Sequence, residues 1–97
     1  MMMSIDKLAR SMGETMNGLR ERPFNPGKAR EREAARRKFV AVAFRNGDPP
    51  EMIAAYLNRS DTMVLHALRM ICLDQCGGEY GRSLAEINWV LRGQGAA

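Results

Sequence analysis

The chain is short of most residues that do chemistry. Its 97 residues include one histidine, two cysteines and only 6 % aromatic side chains. No stretch approaches 18 apolar residues, so no membrane span is expected. The first residues intersperse Asp6, Lys7 and Arg10 among apolar ones, unlike a signal peptide. There is no GxxxxGK[ST] loop, which removes the commonest nucleotide-phosphate cradle. No segment alternates polar and apolar for long enough to make a sheet. With so few ligand-type side chains, a metal site is not expected, because zinc needs about four converging ligands. His66 and Cys72 are six apart, about 240° round a helix, and Cys76 lies about 15 Å along the axis from His66. They make no nucleophile–base pair, so we expect no enzyme, no metal and no cofactor. Cys72 and Cys76, four apart on one helical face, are poorly placed for a disulfide. A reducing, cytoplasmic setting fits.

What is present is a localised positive charge. The net charge is +4, but its distribution is uneven. Residues 1–19 balance. Residues 20–45 hold nine bases against three acids, and residues 46–97 four bases against six acids. A local basic stripe suits a polyanion, nucleic acid being the commonest. The bland alternative is a solvated helix face with internal Glu–Arg pairs.

The rest is helical patterning. Ser4–Leu19 reads as a first helix with Ile5, Leu8, Met12, Met16 and Leu19 on one face, weakened by Gly13 and Gly18. It is either an arm or a dimerisation element. Residues 22–27, RPFNPG, read as a break. Lys28–Arg45 reads as a long helix, basic first and apolar later, with Ala35, Phe39, Val42 and Ala43 buried. Gly47 suits its left-handed end. Asp48 is the expected cap of a short helix with Pro49 first, burying Met52, Ile53, Tyr56 and Leu57. Asn58-Arg59 make a turn. Ser60 caps the next helix, which buries Val64, Leu65, Leu68, Ile71 and Cys72 and closes at Gly77-Gly78. Ser83, with Glu86 three residues on, opens a last helix carrying Trp89 either buried or as an exposed anchor. The expected organisation is an N-terminal helix or arm at 1–22, a helical domain at 28–92 and a flexible tail at 93–97.

The fold class expected is all-α, a small helical bundle containing a helix-turn-helix at its centre. In such a unit the second helix enters the major groove by its N-terminal end. That end offers Ser60, Asp61, Thr62 and Met63, then His66 and Arg69. Thr62 can bond a base or phosphate, Met63 can touch a thymine methyl, and His66 or Arg69 can donate to guanine. Asp61 can accept from cytosine but repels phosphate. Arg59 in the turn, and Arg30, Arg36, Arg37 and Lys38 on the long helix, are placed for the backbone. Against this stand plainer readings: Met63 as a core filler, His66 as a surface residue without a task.

The run RSDTMVLHALRMI, Arg59–Ile71, resembles the signature of the C-terminal DNA-binding domain of DnaA, the bacterial replication initiator. In that signature Arg-Asp-His-Thr-Thr-Val precedes a helix of the form Leu/Met-His/Tyr-Ala-x-Arg-Lys-Ile. Arg59, Thr62, Val64, Leu65, His66, Ala67, Arg69 and Ile71 correspond. Pro50–Ile53 is similar to the family's Leu-Pro-Glu-Ile helix start, and Ala35-Arg36-Arg37 to the start of its preceding basic helix. The resemblance covers about residues 35–71. It implies a Trp-repressor-like helical arrangement, double-stranded DNA as partner, and Arg36 or Arg37 as a contact. The chain departs at Ser60-Asp61, where the family has Asp-His, and at Met63, where it has a second threonine. It also departs at Met70, where the family is basic, and at a turn one residue shorter. The family's origin-element specificity is therefore not expected, and with no sign of its ATPase domain an initiator is not expected either. A stand-alone regulator of transcription or replication, of bacterial or phage origin and associated with the nucleoid, is the expectation. The rival is a protein-interaction module or dimeric adaptor docking through Asp61, Met63, Met70 and Asp74, with a homodimer through either terminal helix.

Overall fold

The computed structural model describes residues 3–93, so the tail at 94–97 lies outside the described residues. Six helices follow in order: α1 (Ile5–Ser11), α2 (Met16–Arg20), α3 (Pro26–Asn46), α4 (Pro50–Leu57), α5 (Asp61–Cys76) and α6 (Leu84–Arg92). The described residues contain no strand. Their shortest dimension is 20 Å, about two helix diameters.

Helix boundaries follow local chemistry, and three differ from expectation. The single helix expected over Ser4–Leu19 is two. Gly13 takes φ +77°, in the left-handed region, and stops α1. Thr15 then restarts the chain by accepting the Gly18 amide at 3.0 Å. The second proline of the break opens α3 rather than blocking it. Asn25 accepts the Lys28 amide at 3.1 Å, and Pro26 sits first, where its missing N–H and fixed φ cost nothing. Asp48 does not cap α4. Pro49 holds the cap position without a side-chain bond. Asp48 is buried instead, accepting from Asn46 Nδ2 at 3.2 Å, while its carbonyl accepts from Arg92 Nη2 at 3.0 Å. Gly47 at φ +109° ends α3 as expected. Ser60 caps α5, and Ser83 with Glu86 forms a reciprocal capping box on α6.

One core unites all six helices. Phe39, Phe44, Leu19, Ile53, Leu57, Leu68 and Ile87 are fully enclosed. Leu8 and Ala9 of α1 and Leu19 of α2 belong to it, so the segment read as an arm or a dimerisation element packs into the body over residues 5–20. In α4 the buried arc is Ile53, Ala54, Tyr56 and Leu57. Met52 falls outside that arc and is 47 % exposed, against expectation. Trp89 is 59 % exposed, on the face of α6 opposite buried Ile87 and Leu91. Cys72 is buried, which raises its thiol pKa, and Cys76 is exposed, so the two thiols sit in different environments. Among the described residues no helix is long and apolar enough to cross a membrane.

Tyr56 adds a polar tie between α1 and α4. Its hydroxyl donates to Asp6 Oδ1 at 2.9 Å, and burial together with that bond pushes its pKa up to about 12. Because the folded pKa lies above the unfolded value of about 10, this tie stabilises the fold fully below pH ~10. It is lost as pH rises toward 12. Denaturation midpoints across this window should fall more steeply for the parent than for Tyr56→Phe. Equal slopes would remove Tyr56 from the alkaline transition.

Candidate nucleic-acid interface

α4 and α5 are joined by a three-residue turn, Asn58-Arg59-Ser60. Asn58 takes φ 54° and ψ 47°, a left-handed geometry that asparagine tolerates better than most residues. The turn sets the N-terminal end of α5 proud of the surface, so Ser60, Asp61, Thr62 and Met63 are exposed. Alongside runs α3. Between the two helices lies an open groove of about 380 Å³. Val40, Leu57, Met63, Val64, Leu65 and Ala67 contribute its apolar lining, and Arg36, Arg37, Arg59, Thr62, His66 and Arg69 its polar side chains. Seven of the eleven residues singled out from sequence thus meet at one feature.

The other four stand outside the groove lining. Ser60 uses its hydroxyl to accept the Met63 amide at 3.2 Å. Asp61 is exposed in the first turn of α5, where the helix dipole favours an acid. Arg30 is exposed two turns before Arg37 on nearly the same stripe of α3. Lys38 is about 100° round the helix from Arg37 and faces elsewhere.

The arginines divide into two kinds. Arg36 Nη1 donates to the carbonyls of Leu19 and Glu21, at 3.1 and 3.0 Å. Arg59 Nη1 donates to Leu57 O at 2.9 Å and Asn58 O at 3.3 Å, and its Nη2 to Arg20 O at 3.4 Å. Arg20 answers by donating to Tyr56 O at 2.8 Å and Ala55 O at 3.2 Å. These carbonyls belong to the C-terminal ends of α2 and α4, which carry negative dipole ends; Ala55 O also accepts the Asn58 amide at 3.2 Å. Guanidinium groups therefore knit the two helix ends together. Arg37, by contrast, is exposed and makes no ion pair: among the described residues only Arg10–Asp6 and Arg32–Glu14 do.

The positive charge is also concentrated. Burial lowers the pKa of Arg59, and repulsion from Arg36 and Arg22 lowers it further. Burial lowers that of Arg36 too, with Glu33 opposing and Arg32 and Arg22 adding. Mutual repulsion of this kind is relieved by an anion. Glu33, on the groove wall, is the one acid lining it.

Tyr80 is the residue that sequence reasoning missed. From the loop between α5 and α6 it reaches back to the groove and shares a hydrogen bond with His66 Nδ1. Its ring lies 5.7 Å from the Arg69 guanidinium, whose Nε donates to Arg82 O at 3.0 Å. His66 and Arg69 are thus held by this loop instead of projecting freely. The only signal was an aromatic in the glycine-rich run GGEYG.

No family model, curated protein or solved structure matches the chain.

Proposed function

We propose that the chain binds double-stranded DNA through this face, as a small regulator of transcription or replication. The N-terminal end of α5 enters the major groove and the α3 stripe lies on phosphates. The observation that carries the reading is the juxtaposition of two features in one surface: the exposed tip of α5, with Thr62 and Met63, and the unpaired Arg37 of α3. Thr62 reads a base edge or phosphate, and Met63 offers an apolar contact to a thymine methyl. Arg37, with Arg30 two turns away, neutralises the backbone. The α4–turn–α5 pair then works as a helix-turn-helix, and the resemblance of Arg59–Ile71 to the DnaA signature points the same way. Such a protein acts in the cytoplasm, at the nucleoid, as a binding module and not as an enzyme.

The test is fluorescence anisotropy on labelled duplexes at about 50 mM and about 200 mM salt. Affinity should fall by about an order of magnitude or more over that range as counterions are released. Arg37→Ala should weaken binding several-fold on every duplex and shallow the salt slope by about one. Thr62→Ala should change the ranking among sequences more than the mean affinity. Parent-like binding by both variants would place the surface elsewhere.

The apolar floor of the groove favours one other reading. An amphipathic acidic helix from a partner protein would cover Val40, Val64 and Leu65 while its carboxylates met the arginines. Absence of duplex binding at low salt would turn the search to such a partner. A second copy of the chain would meet α6, with exposed Trp89, before α1, whose Leu8 and Ala9 are buried in the core.

A further inference from the structure

The α2–α3 loop carries the most exposed large apolar residue of the described chain. Phe24 is 104 % exposed, so its ring touches nothing. An isolated exposed apolar side chain is ordinary on a protein surface. This one differs in how it is held. Pro23 precedes it and Pro26 follows two residues later, each with a fixed φ. On the far side Asn25 is committed to capping α3. On the near side the loop is pinned to the groove: Glu21 O accepts from Arg36 Nη1 at 3.0 Å, and Arg20 O from Arg59 Nη2 at 3.4 Å. Phe24 is three residues past Glu21, so its backbone lies within about 10 Å of that pin. It stands beside the arginine-rich end of the groove, with Arg22 between.

A stiff loop that projects an aromatic ring from a positive surface has already lost the freedom that binding would otherwise cost. The charge selects the occupant. Residues 20–45 hold nine bases and three acids, a setting for a polyanion more than for the apolar pocket of another protein. We propose that Phe24 is a wedge that inserts between base pairs of the bound duplex, beside the segment read by α5, while Arg22 holds the adjacent phosphate. Apolar wedges of this kind unstack one base step and kink the duplex by roughly 20–90°. The inference rests on the DNA reading above and adds a second contact point and a bend.

The experiment compares the full chain with Phe24→Ala and Phe24→Trp, on a duplex carrying a donor and an acceptor dye at its ends. Because the ring touches nothing in the free protein, both variants should fold like the parent. The parent should shorten the end-to-end distance. Phe24→Ala should bind about tenfold more weakly, without the shortening and with the same salt slope, since a stacking contact releases no counterion. Phe24→Trp should keep both affinity and bend. If the parent binds duplex but Phe24→Ala binds and bends it equally, the wedge is overturned and the DNA reading stands. Binding by the parent without any bend overturns the wedge as well. If the parent binds no duplex at low salt, both readings fall.

Discussion

Phe39→Ala should lower the stability of the fold by about 3–5 kcal/mol. Phe39 has no exposed surface, and its ring stacks on Tyr56 with centroids 5.3 Å apart. Alanine removes the buried ring and leaves a hole between α3 and α4 that surrounding helices fill only in part. A domain of this size has roughly 5–15 kcal/mol in total, so the loss is a large fraction. The melting midpoint should drop by on the order of 15–25 °C. The same exchange at Phe24 is the internal control, because that ring is fully exposed and its removal should leave the midpoint where it was. Calorimetry on the two variants decides the matter. A Phe39→Ala midpoint within a few degrees of the parent would contradict the packing of α3. The loss should reach function too. Arg37 and Phe39 are two residues apart, about 200° round the helix, so the buried ring aims the exposed guanidinium. Above its lowered midpoint the variant should lose duplex binding, and well below it should bind like the parent.

Most of the fold was legible because each helix carries its own punctuation. The Ser60, Ser83 and Gly47 signals sit where the structure uses them. The failures came where two neighbouring residues both qualify for one position. Pro49 and Pro50 each suit the first turn of a helix, and choosing Pro49 shifted the cap to Asp48. That residue is needed inside, beneath Asn46 and Arg92. Gly13 looked like a weak helix residue, but its positive φ makes it a terminator. The site was legible as a list of residues, and less so as a geometry. Periodicity puts Arg37, Thr62 and Met63 on exposed faces, where the structure has them. It does not show that Tyr80 folds back over His66 and Arg69, because that contact spans 14 residues and a glycine-rich loop. It does not show, either, that a guanidinium in the turn will turn inward.

Arg59 is where that difference has the largest consequence. From its place in the turn it was expected on a DNA phosphate. In the structure it donates to the carbonyls of Leu57, Asn58 and Arg20, the open ends of α4 and α2. Bonds from a charged donor to partly buried carbonyls contribute more than neutral ones, so Arg59→Ala should cost about 3 kcal/mol of stability in urea denaturation. Arg59→Lys should recover little of it, because one compact ammonium cannot reproduce a planar fork spread over carbonyls of two helices. Duplex binding separates the two roles. If Arg59 is a positioning residue, the folded fraction of Arg59→Ala, measured well below its midpoint, should bind DNA within about twofold of the parent, with an unchanged salt slope. A phosphate contact would give the reverse: parent-like stability, affinity reduced on every sequence, and a slope shallower by about one. We expect the first pattern for Arg59 and the second for Arg37. Finding the second at both positions would mean that the carbonyl bonds of Arg59 add little to the stability of the fold, and that the turn releases its arginine on meeting DNA.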